Sequence, residues 1–545
     1  MSKQKRVVGV DFGTSTTLIA SREGAGEPRV IPIGRTTPWL PSIVGVGSGG
    51  ELLTGEAAAA LPIRDQIRSA KAALTAGIDS VSAGATEVPT REAIGALLSE
   101  AVARARSVDR HVFDDCRVYL GCPALWTGVE RRLLADVAFD AGLEVDVSDI
   151  IDEPVAAGLH AVHSRWASGL QRIGGKAVVL DAGGGTLDIA YLEVLEGNTP
   201  TFTVLSAEGI PRSGDALDEA IAARLGSQVA GSDDEALQQL LLRLRAREMK
   251  EALSFDMERT TPLGEPFTDV LHLRREGLEE SFDPLLGEAA NLVMSTVRGS
   301  QLRVAQPLDP SSIRQLPWSE LGDGVLHVVL AGGMSQVPAF ADRMRTVFVN
   351  AEVAVIERPQ EAIALGLARS DQLDRLNLPR PPVTFMVEFG PPELVARLGM
   401  PRQVPIYEAF TPLYSWSDLI MRSQLYYTAT APPPPTNEAM TCRLTAVAPD
   451  RLRTPLQMTR RTPDGTQTGS GYTVSHTKKN PARFTLFTNG VLVFSGAKGE
   501  EFRVMVDGWP HLRGPRHDWD LEIKMSMPKG EKFRSELDFD DWRFN

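Results

Sequence analysis

Val7-Val8-Gly9-Val10-Asp11-Phe12-Gly13-Thr14-Ser15-Thr16-Thr17-Leu18-Ile19-Ala20 has a counterpart later in the chain, Val178-Val179-Leu180-Asp181-Ala182-Gly183-Gly184-Gly185-Thr186-Leu187-Asp188-Ile189-Ala190. Each reads as a buried strand, an aspartate, a turn of small residues and a second strand. Asp11 aligns with Asp181, Gly13 with Gly183 and Thr16 with Thr186, an offset of 170 positions. That is a domain's length and not a solenoid period, so the spacing predicts two similar lobes, each presenting a hairpin turn.

The chemistry of the turns is specific. Glycine lets backbone N–H groups approach a ligand with no Cβ in the way, and successive N–H groups in a tight turn form a concave anion site. The hydroxyls of Thr14, Ser15, Thr16 and Thr186 add donors. An aspartate at the head of each turn would repel phosphate unless a cation intervened, and Mg²⁺ bound through carboxylates, waters and phosphate oxygens resolves the conflict. Either turn alone could be an ordinary hairpin; the pair in register points to a metal-bound polyphosphate between two lobes. A third glycine turn follows. Residues 325–331 read as a buried strand running into Gly332-Gly333, then Met334, with a helix expected over 337–348 and Pro338 in its first turn. A helix start after Gly-Gly suits phosphate or sugar, although strand–Gly-Gly–helix also serves packing.

The rest of the composition narrows the class. The 545 residues suffice for two to four domains. A net charge of −13 disfavours nucleic acid or an anionic membrane as main partner. The basic start, Met1 to Arg6, lacks the apolar stretch of a secretory signal, and no apolar run approaches membrane-spanning length, so a cytoplasmic protein is expected. Cys116, Cys122 and Cys442 form no C-x-x-C pair and read as free thiols.

In order and spacing, the two turns and Gly332-Gly333 resemble the actin, hexokinase and heat shock protein 70 superfamily. Further stretches are similar to the heat shock protein 70 branch: Val118 to Ala124, then Ile150-Ile151-Asp152-Glu153-Pro154; the turn Ser213-Gly214-Asp215-Ala216-Leu217-Asp218; the helix segment Arg247 to Ser254; and Arg358 to Gly366. Ala70-Lys71-Ala72 sits where that family's catalytic lysine lies. The resemblance spans about residues 6 to 370. It implies an α/β, two-lobed actin-like ATPase fold with ribonuclease H-like lobes, lobe I about 1–175 and lobe II about 176–370. ATP or ADP and Mg²⁺ would be the ligands. Asp11 and Asp181 would hold Mg²⁺ through water. Gly13, Thr14, Ser15, Thr16, Gly183, Gly184 and Gly185 would bind phosphates. Lys71 would contact the γ-phosphate and the attacking water, with Glu153 and Thr186 orienting that water. From the residues alone, Lys71 could equally be a solvated surface lysine, and Glu153 could merely end a strand.

Around adenosine the resemblance implies Gly214, Arg247, Lys250, Ser254, Gly332, Gly333 and Met334. Here the chain departs from the family. Arg247 replaces an acidic ribose contact, Met334 a serine, Gln336 an arginine that stacks on the base, and Gln360 an aspartate. Arg247 is expected to take over the lost stacking.

After residue 370 a polar, proline-bearing linker is expected over 371–382, followed by a β-rich domain over 383–545 that binds a peptide or a partner. Strands are expected over 383–389, 424–430 and 484–495, the last folded at Asn489-Gly490 into a hairpin. Residues 432–435, all proline, read as loop. The alternating end, 537–545, reads as an edge strand or an acidic-aromatic docking tail. That family's helical lid has no counterpart in the pattern. Two function classes follow: a nucleotide-switched protein that binds polypeptide clients, or a filament-forming or scaffolding actin-like ATPase with one dedicated partner. A small-molecule kinase is a weaker third, since no acceptor motif is evident.

Overall fold

Val7, Val8, Val10 and Phe12 are buried on both faces of one strand, Arg6–Phe12, which marks it as central to a covered sheet. The computed structural model describes residues 6–168, 174–195, 201–300, 315–372, 380–413, 426–448, 453–462, 465–487 and 490–507. The first sheet runs Ile150–Asp152, Cys116–Cys122, Arg6–Phe12, Thr16–Glu23, Arg29–Ile31. Its first two pairings are parallel and its last two antiparallel.

The second sheet runs Thr201–Ile210, Leu187–Leu195, Gly175–Ala182, His327–Ala331, Glu352–Val355. Written in chain order from its own first strand, each sheet has the path 3-2-1-4-5, with antiparallel pairing on one side of strand 1 and parallel on the other. The two lobes therefore share one topology, as the repeated stretch predicts. Each has its own apolar core.

A layer of helix lies between the sheets. Glu153–Ser168 and Ala362–Leu367 pack on each other and bury residues from both lobes, among them Val7, Ile151, Val179, Val329 and Ile363. The fit is close. A Cβ on Gly366 would stand 1.8 Å from Ala156 O, and one on Gly9 would stand 2.5 Å from Ala364 O. Glycine is what lets backbone meet backbone there.

Residues 383–506 contribute a third, separate core. Two sheets enclose it. One holds Gln403–Tyr407, Thr384–Gly390, Met440–Val447 and Pro455–Leu456, with Tyr472–His476 also on Met440–Val447. The other runs Tyr426–Thr430, Arg483–Phe487, Leu492–Ser495, Glu501–Val506, Met458–Thr462, Gly465–Gly469. The expected hairpin is present as the antiparallel pair Arg483–Phe487 and Leu492–Ser495. Gly490 takes φ +86° at its turn, and Asn489 lies outside the described residues. Residues 431–434 form no regular structure. A short helix, Pro392–Arg397, was not expected in this region. The predicted linker falls mostly outside the described residues, at 373–379, and the whole 537–545 segment does too.

Candidate functional site

The two glycine turns meet face to face. A Cβ on Gly184 would stand 2.7 Å from Ser15 Oγ, and one on Gly185 2.9 Å from Thr14 Oγ1. Each turn closes with the same bond: Gly13 N donates to Thr16 O at 2.9 Å, and Gly183 N to Thr186 O at 3.1 Å. The common Gly-x-x-Thr spacing is the cause. The third turn joins them. Gly332 has φ +76°, and a Cβ there would lie 2.3 Å from Ala182 O and 2.5 Å from Asp181 Oδ1, so no other residue fits. After it, Gly333–Gln336 forms a 3₁₀ turn, and the predicted helix is Pro338–Val347.

Between the turns lies a cleft of about 460 Å³. Its wall includes Asp11, Gly13, Thr14, Ser15, Thr16, Lys71, Glu153, Asp181, Gly183, Gly184, Thr186, Arg247, Lys250, Ser254, Gly332, Gly333 and Met334. Residues 320 positions apart are thus brought to one space. Gly185 and Gly214 stand just behind the wall. Gly214 N donates to Gly183 O at 3.1 Å, and Gly214 O accepts from Lys250 Nζ at 3.1 Å.

Lys71 is not a solvated surface lysine: it is 3% exposed and ion-paired with the equally buried Glu153. Its apolar helix face, Ala70, Ala73 and Leu74, is buried beside it. Glu153 opens the helix Glu153–Ser168 immediately after the strand Ile150–Asp152, with Pro154 in the first turn, where a missing N–H costs nothing.

Carboxylates outnumber cations around the turns. Asp11, Asp181, Asp188 and Glu153 are all buried, and Lys71 is their shared cation. Burial, then the charge of Glu153, pushes Asp11 up to about 7, against the pull of Lys71. Burial and Glu153 also raise Asp188 to about 7, although the Thr186 side chain and Ala124 N–H pull it back. Asp181 is raised by burial first, then by Glu153, Asp188 and Asp11. For Lys71, burial favours the neutral amine, but Glu153 and Asp11 outweigh it and hold the ammonium above its usual value. Asp11 Oδ1 and Asp181 Oδ1 are buried and have no hydrogen-bond partner. A buried oxygen left so is costly, and a cation relieves both the lost bond and the repulsion. Among the described residues no group of three or more His, Cys, Asp or Glu side chains forms a ready-made metal cage. Two carboxylates fit an ion that keeps waters and takes phosphate oxygens, as Mg²⁺ does.

At the other end, Arg247 is held by acidic partners. Its guanidinium is ion-paired with both Asp215 and Asp218, the second at 2.9 Å, and Lys250 Nζ stands 2.6 Å from Asp218. Two carboxylates on the preceding helix, Gly214–Gly226, hold the side chain against lobe II. Sequence reasoning missed several wall residues: Trp39, Asp215, Glu251 and Phe255. Buried Asp188, whose Oδ1 accepts from Ala124 N at 2.7 Å, was missed as well. Asp188 had a readable signal, since it lies at the start of the strand Leu187–Leu195, two positions after Thr186 of the turn. Phe255 had none, because one aromatic after a helix end is unremarkable in a sequence.

A family model described as Hsp70 protein matches residues 69–372, more than half of the chain. Among curated relatives, the chain is 27% identical over 381 residues to "Chaperone protein DnaK" of Thermosipho melanesiensis. It is 28% identical over 389 residues to that of Thermotoga maritima, and 28% identical over 399 residues to "Chaperone protein dnaK" of Emiliania huxleyi. Each match takes in 67% of this chain and 59% of the relative, so the chain spans somewhat under two thirds of the proteins it matches.

Proposed function

Because the chain belongs to the Hsp70 family, we propose that it binds and hydrolyses ATP with Mg²⁺ between its lobes, and that nucleotide state controls how its C-terminal β sandwich holds a polypeptide or a dedicated protein partner. The observation that carries this reading is the pair of buried, unpartnered oxygens, Asp11 Oδ1 and Asp181 Oδ1, on opposite phosphate-type turns. They belong to a cluster with more carboxylates than cations, which favours a divalent ion between them.

When bound, Mg²⁺ supplies charge neutralisation for the phosphate oxygens. The protein's residues supply position. The backbone N–H groups of Gly13 and Gly183 to Gly185 and the hydroxyls of Thr14, Ser15 and Thr16 cradle phosphates. Glu153 holds the Lys71 ammonium, which faces the terminal phosphate and the attacking water. Glu153 and Thr186 orient that water. Lys250, Ser254 and Arg247 hold the sugar end, with Gly332, Gly333 and Met334 opposite. In this reading residues 1–370 are the nucleotide domain, 371–382 the linker and 383–545 the partner-binding domain. The protein works in the cytoplasm on protein partners, not on nucleic acid or membrane.

The test is Mg·ATP turnover by the full chain, with and without an unfolded polypeptide. Turnover that rises with the polypeptide supports the coupled reading. Turnover that ignores it leaves the ATPase standing and assigns the sandwich to one dedicated partner. No turnover and no ATP binding would overturn the proposal. Sedimentation with ATP adds one outcome: an ATP-dependent pellet would replace the switch with a filament.

A further inference from the structure

The nucleotide reading leaves open what holds the base, and the inference here rests on that reading. One wall is built on the end of the helix Glu235–Leu253, with Lys250 and Glu251 in its last turn and Ser254 and Phe255 just after it. Phe255 stands out. It lines the cleft, yet it is 74% exposed and belongs to no apolar cluster of the described residues. An aromatic ring left bare at the mouth of a polar cleft is unfavourable unless something flat covers it. The Arg247 guanidinium is held at its N–H edge by Asp215 and Asp218, against the helix Gly214–Gly226. Across the cleft the wall offers Met334 and Gln336, which bring no aromatic or guanidinium plane, and its other aromatic, Trp39, is packed against the cluster of Leu18, Ala20 and Leu365.

We propose that Phe255 is the platform on which the nucleotide base stacks, with the neighbouring Glu251 carboxylate accepting N–H donors from the base edge. Phe255 is thus a specificity-determining residue, and the specificity it gives is broad. Every base has a π-face, so a site that reads the face discriminates poorly. The amino group of adenine and the N1–H and amino groups of guanine all offer donors to a carboxylate. The site therefore takes ATP and GTP with affinities within roughly tenfold of each other.

The experiment uses the full chain and three probes by calorimetry: inorganic triphosphate, Mg·ATP and Mg·GTP. Phe255→Ala is expected to weaken both nucleotides by about tenfold and to leave triphosphate unchanged. Phe255→Trp is expected to keep nucleotide affinity, and its fluorescence to be quenched by ATP but not by triphosphate. Because Phe255 is exposed, neither variant threatens the fold. Unchanged ATP affinity in Phe255→Ala overturns the proposal, as does a wild-type chain that binds ATP no better than triphosphate. A preference for one purine beyond a hundredfold overturns the face-reading. A chain that binds neither triphosphate nor ATP fails earlier, at the nucleotide reading itself.

Discussion

Lys71 and Glu153 show how a single buried pair ties stability to chemistry. Each is buried to within a few per cent of its surface, and each is the other's partner. Lys71→Met leaves the Glu153 carboxylate without its cation, which costs roughly 3 kcal/mol of stability. On the proposed ATPase reading, it should also lower turnover by at least about a hundredfold, since this ammonium is there set at the terminal phosphate. The double variant Lys71→Met/Glu153→Gln should regain most of the stability and none of the turnover. Urea unfolding and single-turnover hydrolysis, run as a double-mutant cycle, separate the two effects; a double variant no more stable than Lys71→Met would show that the pair is not the cause. At this scale the sequence was partly legible. The glycine turns and their aspartates announce themselves by spacing. Lys71 did not, because a lysine on a mixed helix face can point either way, and only the packing of Ala70 and Leu74 decides it.

Helices carry the next level. Glu153–Ser168 and Ala362–Leu367 cross where Gly366 meets Ala156 O, and backbone cannot yield as a side chain can. Gly366→Ala should therefore cost about 3 kcal/mol or more, against a few tenths for a methyl added at half-buried Gly226, where nothing lies within 4 Å. Chemical denaturation checks it; equal costs at the two sites would refute the close crossing. The same helix carries His160 and His163. Burial first, then the positive charge of Arg369, hold both near pKa 4 instead of 6.5; Arg358 and His163 add to the effect on His160, and Arg22 to that on His163. The folded value lies below the unfolded one, so the unfolded chain binds more protons between pH 6.5 and 4. The contribution of His160 is whole above pH 6.5 and drains away as pH falls toward 4, by roughly 3 kcal/mol. His160→Gln should flatten that part of the stability profile; an unaltered profile would count against a neutral His160 in the fold. Helix starts were the harder part of the sequence to read. Glu153-Pro154 looks like a strand end until the helix behind it is seen, and Pro391-Pro392 looks like loop although Pro392 opens a helix.

For the whole molecule, the repeated stretch made the two-lobed plan legible, and the matching strand orders follow from it. The junction with the C-terminal sandwich was not legible, because nothing local in a sequence marks which loop a distant lobe will meet. That junction is built from pieces of both partners. Gly128 N donates to Ala409 O at 2.7 Å, Arg132 pairs with Glu408 at 2.6 Å, and the Arg131 guanidinium lies 4.4 Å from the Phe410 ring centre. Arg380, just beyond the expected linker's undescribed part, is buried and donates to Ala124 O. The other side of that residue, Ala124 N, donates to Asp188, which lies two positions after Thr186 of the second glycine turn. Arg380 also bears on lobe II, where its charge opposes the burial that raises Glu208 to about 6. One cation from the linker thus bonds to lobe I, acts on lobe II through its charge, and stands two hydrogen bonds from the aspartate beside the second glycine turn. A contiguous chain is not yet a coupling energy, which only a measurement supplies. Arg380→Met keeps the apolar stem and removes the charge. It should abolish the rise in turnover caused by an unfolded polypeptide, a coupling of about 1–3 kcal/mol, while leaving basal turnover largely intact. Arg132→Ala, which breaks a partly exposed pair at the same junction, should change the rise little, since such a pair contributes about 1 kcal/mol at most. If Arg132→Ala abolishes the rise as fully as Arg380→Met, docking of the sandwich is what matters. If Arg380→Met alone does so, the signal runs through the linker cation and Ala124 to the aspartate beside the second glycine turn.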